Sequence, residues 1–370
     1  MREGAEIQAP ESETDRSPEI ASQEAKRSTR RVTVVDSLRF VLAAWVVLGH
    51  FGFSPLRDAL IIIHAPRLLK GIPDSMFNGG AAVMAFFAIS GFCIHLPFAG
   101  SPAKLGLRYY LRRETRLLPP VVVMLALSAI YPDHPVMNVI WSLICEEIYY
   151  LLYPLLRVPL RTVSGQSALF GALCAASLIA IVLRPGVPVG ASGPGYFFDW
   201  LVYFPIWFGG AIVAEWYARD FSSFRAKLRT RTFPVGVWRT AMFLFSWGIG
   251  VVDTVHPNGR LSSVMFLALG LACVLWLTAE IDRGSQKDTT LLWLERLGMA
   301  SYSLYLTHTF VLEATKQLFA HFGSVGPDYV HHISTAAWVV GLVGTAALTW
   351  LLYTLVERPA HRLARRIQIA

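Results

Sequence analysis

Residues 78–97 read NGGAAVMAFFAISGFCIHLP. These twenty residues contain no Asp, Glu, Lys or Arg. As a helix they span about 30 Å, the thickness of a bilayer's hydrocarbon core. Working outward, comparable apolar runs lie near 36–53, 118–131, 141–156, 168–183, 199–217, 240–253, 261–280, 298–320 and 336–355. The runs at 118–131, 141–156 and 240–253 are short; they either extend into their flanks or form half-buried helices. Composition agrees: of 370 residues 54% are hydrophobic and only 16% charged, against about 25% charged in soluble domains. The fold class expected is all-α: a polytopic integral membrane protein of about ten transmembrane helices.

Lysine and arginine set the orientation. With alternating spans and a cytoplasmic N-terminus, the inner segments are 1–35, 98–117, 157–167, 218–239, 281–297 and 356–370. They hold 26 of the 33 basic residues, against 5 in the outer segments. Both termini are therefore expected in the cytoplasm. The net charge of +8 reads as a topology signal, and no nucleic-acid partner is expected. Residues 1–32 are read as a disordered cytoplasmic tail, since the first 31 mix seven acids with six bases and lack any aromatic. Residues 33–356 form the multi-span domain, and 357–370 a basic cytoplasmic tail. Cys93, Cys145, Cys174 and Cys273 fall inside spans without metal-ligand spacing; they read as small apolar core residues, and no metal is expected.

Ionisable residues inside a span cost roughly 2.5–3.5 kcal/mol each on insertion scales, so they face a bundle interior or a wet cavity. Arg39 and His50 stand eleven residues apart, three turns plus about 20°, with a rise of about 16 Å. They share one stripe of the first helix. A guanidinium at the rim suits a phosphate, and a deep, neutral imidazole suits general-base work on a hydroxyl. A snorkelling arginine with a hydrogen-bonded structural histidine gives the same spacing. Arg112, Arg113 and Arg116 cluster at the start of the third span, where two forked guanidiniums can clamp an anion or serve as ordinary inner-face charge. Glu146 and Glu147 are about 100° apart on a helix, so one faces a cavity and the other does not. Ser301, Tyr305 and His308 make a polar stripe at i, i+4, i+7, for substrate hydroxyls or for helix packing. Glu313 and Lys316, three apart, read as an ion pair.

These residues sit in segments that resemble one family. Asp36-Ser-Leu-Arg39 leading to His50 is similar to the opening Asp-x-Leu-Arg…His of the membrane acyltransferase 3 family. Phe86-Phe-Ala-Ile-Ser90-Gly91-Phe92 resembles its Phe-Phe-x-x-Ser-Gly-Phe segment. Arg112-Arg113-Glu-Thr-Arg116-Leu-Leu-Pro119 resembles its Arg-Arg-x-x-Arg-Ile/Leu-x-Pro. Trp141 to Pro154 matches Trp-Ser-Leu-x-Val-Glu-Glu-x-Phe-Tyr-Leu-Leu-x-Pro, with Cys145 for Val and Tyr149 for Phe. Ser301 to His308 resembles Ser-Tyr-Ser-Leu-Tyr-Leu-x-His, and Glu357-Arg358-Pro359 the closing Glu-x-Pro. The six segments occur in order from about residue 33 to 365.

The resemblance implies an inner-membrane O-acyltransferase. Such proteins move an acyl group, commonly acetyl, from acyl-CoA as co-substrate to a hydroxyl of a carbohydrate, glycolipid or other small acceptor. It implies His50 as the essential histidine, Glu146 as the more regular of the two glutamates, and Arg39, Arg113 and Arg116 as donor-binding residues; Glu146 is expected as a catalytic residue that orients the imidazole or balances the charge that develops. Ser90, Trp141, Glu147, Tyr150, Tyr305 and His308 are expected to line the cavity or the acceptor side. No bound cofactor is expected; the partners are acyl-CoA, the hydroxylated acceptor and the lipid bilayer. The competing class is a proton-coupled transporter or flippase of a sugar-like solute, which also uses intramembrane Asp, Glu, His and Lys. Neither paired broken helices nor an inverted repeat supports it.

Overall fold

The computed structural model describes residues 32–66, 69, 72–100, 105–131, 137–183, 198–219, 233–256, 258–284, 292–321 and 333–367. Most of the expected N-terminal tail, residues 1–31, lies outside them, as does most of the basic loop at 218–239. The described residues form helices joined by turns, with no strand. In chain order they are α1 (Thr33–Phe51), α2 (Ser54–Ile62), α3 (Gly79–His95), α4 (Leu107–Ile130), α5 (Met137–Leu160), α6 (Val163–Leu183) and α7 (Asp199–Arg219). There follow α8 (Val235–Val255), α9 (Gly259–Gly284), α10 (Leu292–Gly298), α11 (Ser301–His321), α12 (Thr335–Leu352) and α13 (Arg358–Arg366).

Among the described residues, eight helical stretches are long and apolar enough to cross a membrane. The stretch quoted above is one of them. The expected runs at 118–131 and 298–320 are not, although their helices α4 and α11 have 24 and 21 residues. Both are long enough, but they carry the arginine cluster and the Ser301–His308 stripe, which lower their hydropathy. The short runs prove to be parts of longer helices: α4 continues back through the basic stretch to Leu107, and α5 and α8 have 24 and 21 residues. Residues 107–117, expected in an inner segment, are thus helical.

The centre of the bundle is the crossing of α3 and α7. A Cβ on Gly91 would fall on the carbonyl oxygen of Trp207, and one on Gly210 on that of Ala88. Only glycine lets the two backbones touch, the small-residue packing that replaces hydrophobic drive inside a bilayer. Aromatic side chains fill the space around the crossing. Tyr149 stacks on Phe204 with centroids 4.8 Å apart, and Phe87 lies against Tyr203 at 6.3 Å.

Polar groups in the bundle are paired where helices meet. Arg239 donates to Glu280 at 2.6 and 2.8 Å, joining α8 to α9, and Trp276 donates to the same carboxylate at 2.9 Å. Glu313 and Lys316 pair at 3.6 Å, as their spacing implied. Asn78 caps α3 by accepting from the Ala81 N–H at 3.2 Å. Ser334 caps α12, while Asp58 accepts from the Thr335 N–H at 2.9 Å and fixes α2 to that helix start.

Between α12 and α13 the chain makes a π-turn at Tyr353–Glu357. Pro359 follows at the start of α13, where its missing N–H costs nothing. Buried Glu357 accepts from the Ser303 N–H at 3.1 Å and from its hydroxyl, tying this joint to α11. Residues 358–366, most of the expected C-terminal tail, are therefore a docked helix. Ala360 and Ala364 are buried, and the helix packs along α4.

Candidate functional site

A cavity of about 990 Å³ opens among α1, α3, α4, α5, α11 and α13. Its inner wall is apolar, with Phe86, Phe87 and Ile89, and is interrupted by three polar residues: Ser90, Glu146 and Tyr150. Glu146 and Tyr150 are one turn apart on α5 and point at Ser90 of α3. The indole N–H of Trp207 donates to the Ser90 hydroxyl at 3.2 Å. The Ser90 and Tyr150 hydroxyls lie 3.0 Å apart, and Tyr150 donates to Glu146 Oε2 at 3.1 Å. Indole is donor-only and each hydroxyl has one proton. Trp207 therefore donates to Ser90 and Tyr150 to Glu146, while the Ser90 proton has both Tyr150 and Glu146 within reach; the network ends on the carboxylate.

The other wall is basic. Half-buried Arg39, Arg113 and Arg116 line it, and exposed Arg112, Arg358, Arg362 and Arg365 extend it outward. Against these seven arginines the described lining offers two carboxylates, Asp36 and Glu146. Among the described residues none of the seven is ion-paired with a carboxylate. Arg113 lies over the Tyr150 ring at 5.5 Å and the Tyr109 ring at 5.9 Å, so cation–π contact fixes its place. The Nε–H of Arg116 donates to His361 Nε2 at 3.0 Å, so His361 there acts as an acceptor with its ring proton on Nδ1.

The structure thus gathers Arg39, Ser90, Arg113, Arg116, Glu146, Tyr150 and Tyr305 around one space, as the sequence implied. Four expected site residues lie elsewhere. Trp141 is 6% exposed and packs in the aromatic core, with Phe87 at 6.3 Å and Tyr203 at 6.4 Å. Glu147, a third of a turn from Glu146, faces Glu114 of α4. His50 and His308 stand beyond Tyr305. Tyr305 lines the cavity and donates towards α5, its hydroxyl 2.7 Å from that of Ser142. Its ring lies 5.8 Å from that of His308, which lies 5.0 Å from that of His50. His308 is fully buried, and its ring nitrogens meet no hydrogen-bond partner among the described residues. His50 lies in the last turn of α1, beside Gly79 at the start of α3, and its side chain is exposed.

Glu146 therefore does not hold the His50 imidazole. The rise of the shared stripe explains the separation: Arg39 reaches the cavity, while His50 sits three turns further along α1. There Gly49 lies so close to Gly79 that an added Cβ would come within 2.9 Å of the Gly79 nitrogen. His50 is thereby held at the start of α3.

Sequence reasoning missed the contribution of α13, and it missed that Cys93 lines the cavity as well as packing against the core. The signal for α13 was available. Arg358, Arg362 and Arg365 recur at i, i+4, i+7, and Pro359 is compatible with a helix start.

A family model described as an acyltransferase domain matches residues 32–354. Acyltransferase MdmB of Streptomyces mycarofaciens is 27% identical over 241 residues, which covers 61% of this chain and 58% of that protein. The chain thus spans under two thirds of the length of the curated relative it matches. No solved structure matches. With nearly all of its helical part covered by that model, the chain belongs to the acyltransferase 3 family of multi-pass membrane proteins.

Proposed function

We propose that this protein is a membrane O-acyltransferase that takes an acyl group, most simply acetyl, from acyl-CoA and transfers it to a hydroxyl of a carbohydrate, glycolipid or other small acceptor. The observation that carries this reading is the basic wall: seven arginines against two lining carboxylates, with none of the seven in an ion pair among the described residues, beside an apolar inner surface. Coenzyme A has the matching form, a polyanionic head with a long, weakly polar arm ending in the thioester. The head sits against the arginines, and the arm reaches between Phe86 and Tyr305. The basic residues of the cavity mouth support an opening at the inner face, where acyl-CoA is made. This fits ten membrane-crossing helices, with α4 and α11 as the polar pair and both chain ends in the cytoplasm of an inner-membrane protein.

The chemistry falls to His50. Its exposed side chain is open to an acceptor hydroxyl, and a neutral imidazole removes the hydroxyl proton as the oxygen attacks the thioester carbonyl. The alternative order, attack by the imidazole first and acyl transfer second, uses the same residue. In either order the thiolate of coenzyme A leaves and takes up a proton. Tyr305 and buried His308 stand between the cavity and His50, so these rings must move aside for the thioester to reach the imidazole. Glu146, fixed by Tyr150, lies on the donor side and balances the charge of Arg113 and Arg39.

The test uses purified full-length protein. Acetyl-CoA should raise its melting temperature and protect Cys93 from a maleimide. Labelled acetyl from acetyl-CoA should appear on hydroxylated material in membranes from wild type, but not from a His50→Ala strain producing equal amounts of folded protein. Full transfer by His50→Ala would end the reading.

A further inference from the structure

The seven arginines of the cavity stand in two tiers. Arg39, Arg113 and Arg116 are half-buried in the inner tier; Arg112, Arg358, Arg362 and Arg365 are exposed at the mouth. The outer tier has a defined geometry. Arg358, Arg362 and Arg365 share one stripe of α13 at i, i+4, i+7. Arg112 lies on α4, along which α13 packs. The helix cannot turn this stripe away, because buried Ala360 and Ala364 and the Glu357–Ser303 bonds fix it. Four like charges are therefore held together without an ion-paired carboxylate among the described residues. Such a group repels itself until an anion of more than one charge joins it.

A donor of the coenzyme A type carries two distinct anionic groups on the 5′ and 3′ oxygens of one ribose. The pyrophosphate lies between the pantetheine arm and the nucleoside. The phosphate monoester lies on the ribose, at the end farthest from the thioester. With the thioester inward, the pyrophosphate meets the inner tier and the monoester reaches the mouth. Resting on the donor assignment above, we propose that Arg358, Arg362 and Arg365 of α13, with Arg112 of α4, form the subsite for the ribose phosphate monoester, so that the enzyme selects 3′-phosphorylated donors. The monoester has close to two charges near neutral pH and three acceptor oxygens, which forked guanidiniums bind in pairs. The same chemistry would also hold a lipid phosphate or free phosphate at the rim, so the test separates these sources.

Binding of acetyl-CoA and of 3′-dephospho-acetyl-CoA is measured on full-length protein in zwitterionic nanodiscs. Wild type should bind acetyl-CoA at least about tenfold more tightly, equivalent to about 1.4 kcal/mol. The double variant Arg362→Gln/Arg365→Gln should bind both donors with the weaker affinity. Arg113→Gln should weaken both donors together and keep their ratio. Inorganic phosphate should compete with acetyl-CoA but not with the dephospho donor. The proposal is overturned if wild type does not discriminate, or if the double variant still does. It is also overturned if anionic lipid in the nanodisc abolishes the wild-type preference, which would make the tier a lipid site. If wild type binds neither donor, the donor assignment falls and the subsite with it. If it binds both equally, only the subsite falls.

Discussion

The α3–α7 crossing and the α4–α13 wall are both contacts between helices, built on opposite principles. At the crossing each group is satisfied: Gly91 and Gly210 bring the backbones together, stacked rings fill the sides, and Trp207 donates to Ser90. In the wall the charges are alike and their carboxylate partners are missing among the described residues. The first arrangement lowers the energy of the empty protein. The second raises it and is repaid only when an anion enters. Elsewhere in the bundle an arginine does stabilise: Arg239 is matched by Glu280 and Trp276. Residue type therefore does not separate structural from functional charge here; the presence of a partner does.

Five measurements break or sharpen this contrast, in falling order of effect. Gly91→Val forces a branched side chain onto the Trp207 carbonyl; overpacking of this kind costs about 3 kcal/mol or more, and no detergent-stable protein should be recovered. A normally folded Gly91→Val protein would show that the crossing is looser than described. Arg239→Ala leaves Glu280 buried without two hydrogen bonds and its counter-charge, a loss of about 3 kcal/mol, read as a large fall in melting temperature. His50→Ala should leave melting unchanged while the transfer rate falls about 10²–10⁴-fold. Arg113→Ala should weaken acetyl-CoA binding about tenfold or more, the worth of a charge-assisted hydrogen bond, with folding retained. Arg362→Gln should alter the stability of the empty protein by less than about 0.5 kcal/mol; a fall as large as that of Arg239→Ala would mean the outer tier is structural after all.

Much of the site could be read before the fold was known. Arg39, Arg113, Arg116 and Glu146 were legible because an ionised group inside an apolar run has few reasons to be there. Ser90 and Tyr150 came with the family segments, and the structure explains them as the relay that fixes Glu146. Trp141 came from the same kind of segment but packs in the core, because a segment records which residues belong together and not which of them face a cavity. The supposed pairing of Glu146 with His50 failed for a geometric reason. Two residues can share a stripe or a family motif and still be separated by the rise of a helix. Arg358, Arg362 and Arg365 were passed over as a tail, since local charge density does not reveal a neighbouring helix against which to dock.

Hydropathy and charge by themselves determined that this chain crosses a bilayer many times as helices, because the cost of unsatisfied backbone and stranded charge in hydrocarbon acts locally along the chain. Which charges share one cavity was decided only by tertiary structure. The glycine contacts, the π-turn before α13 and the rise of α1 set distances between residues far apart in sequence, and no local energy term encodes those distances.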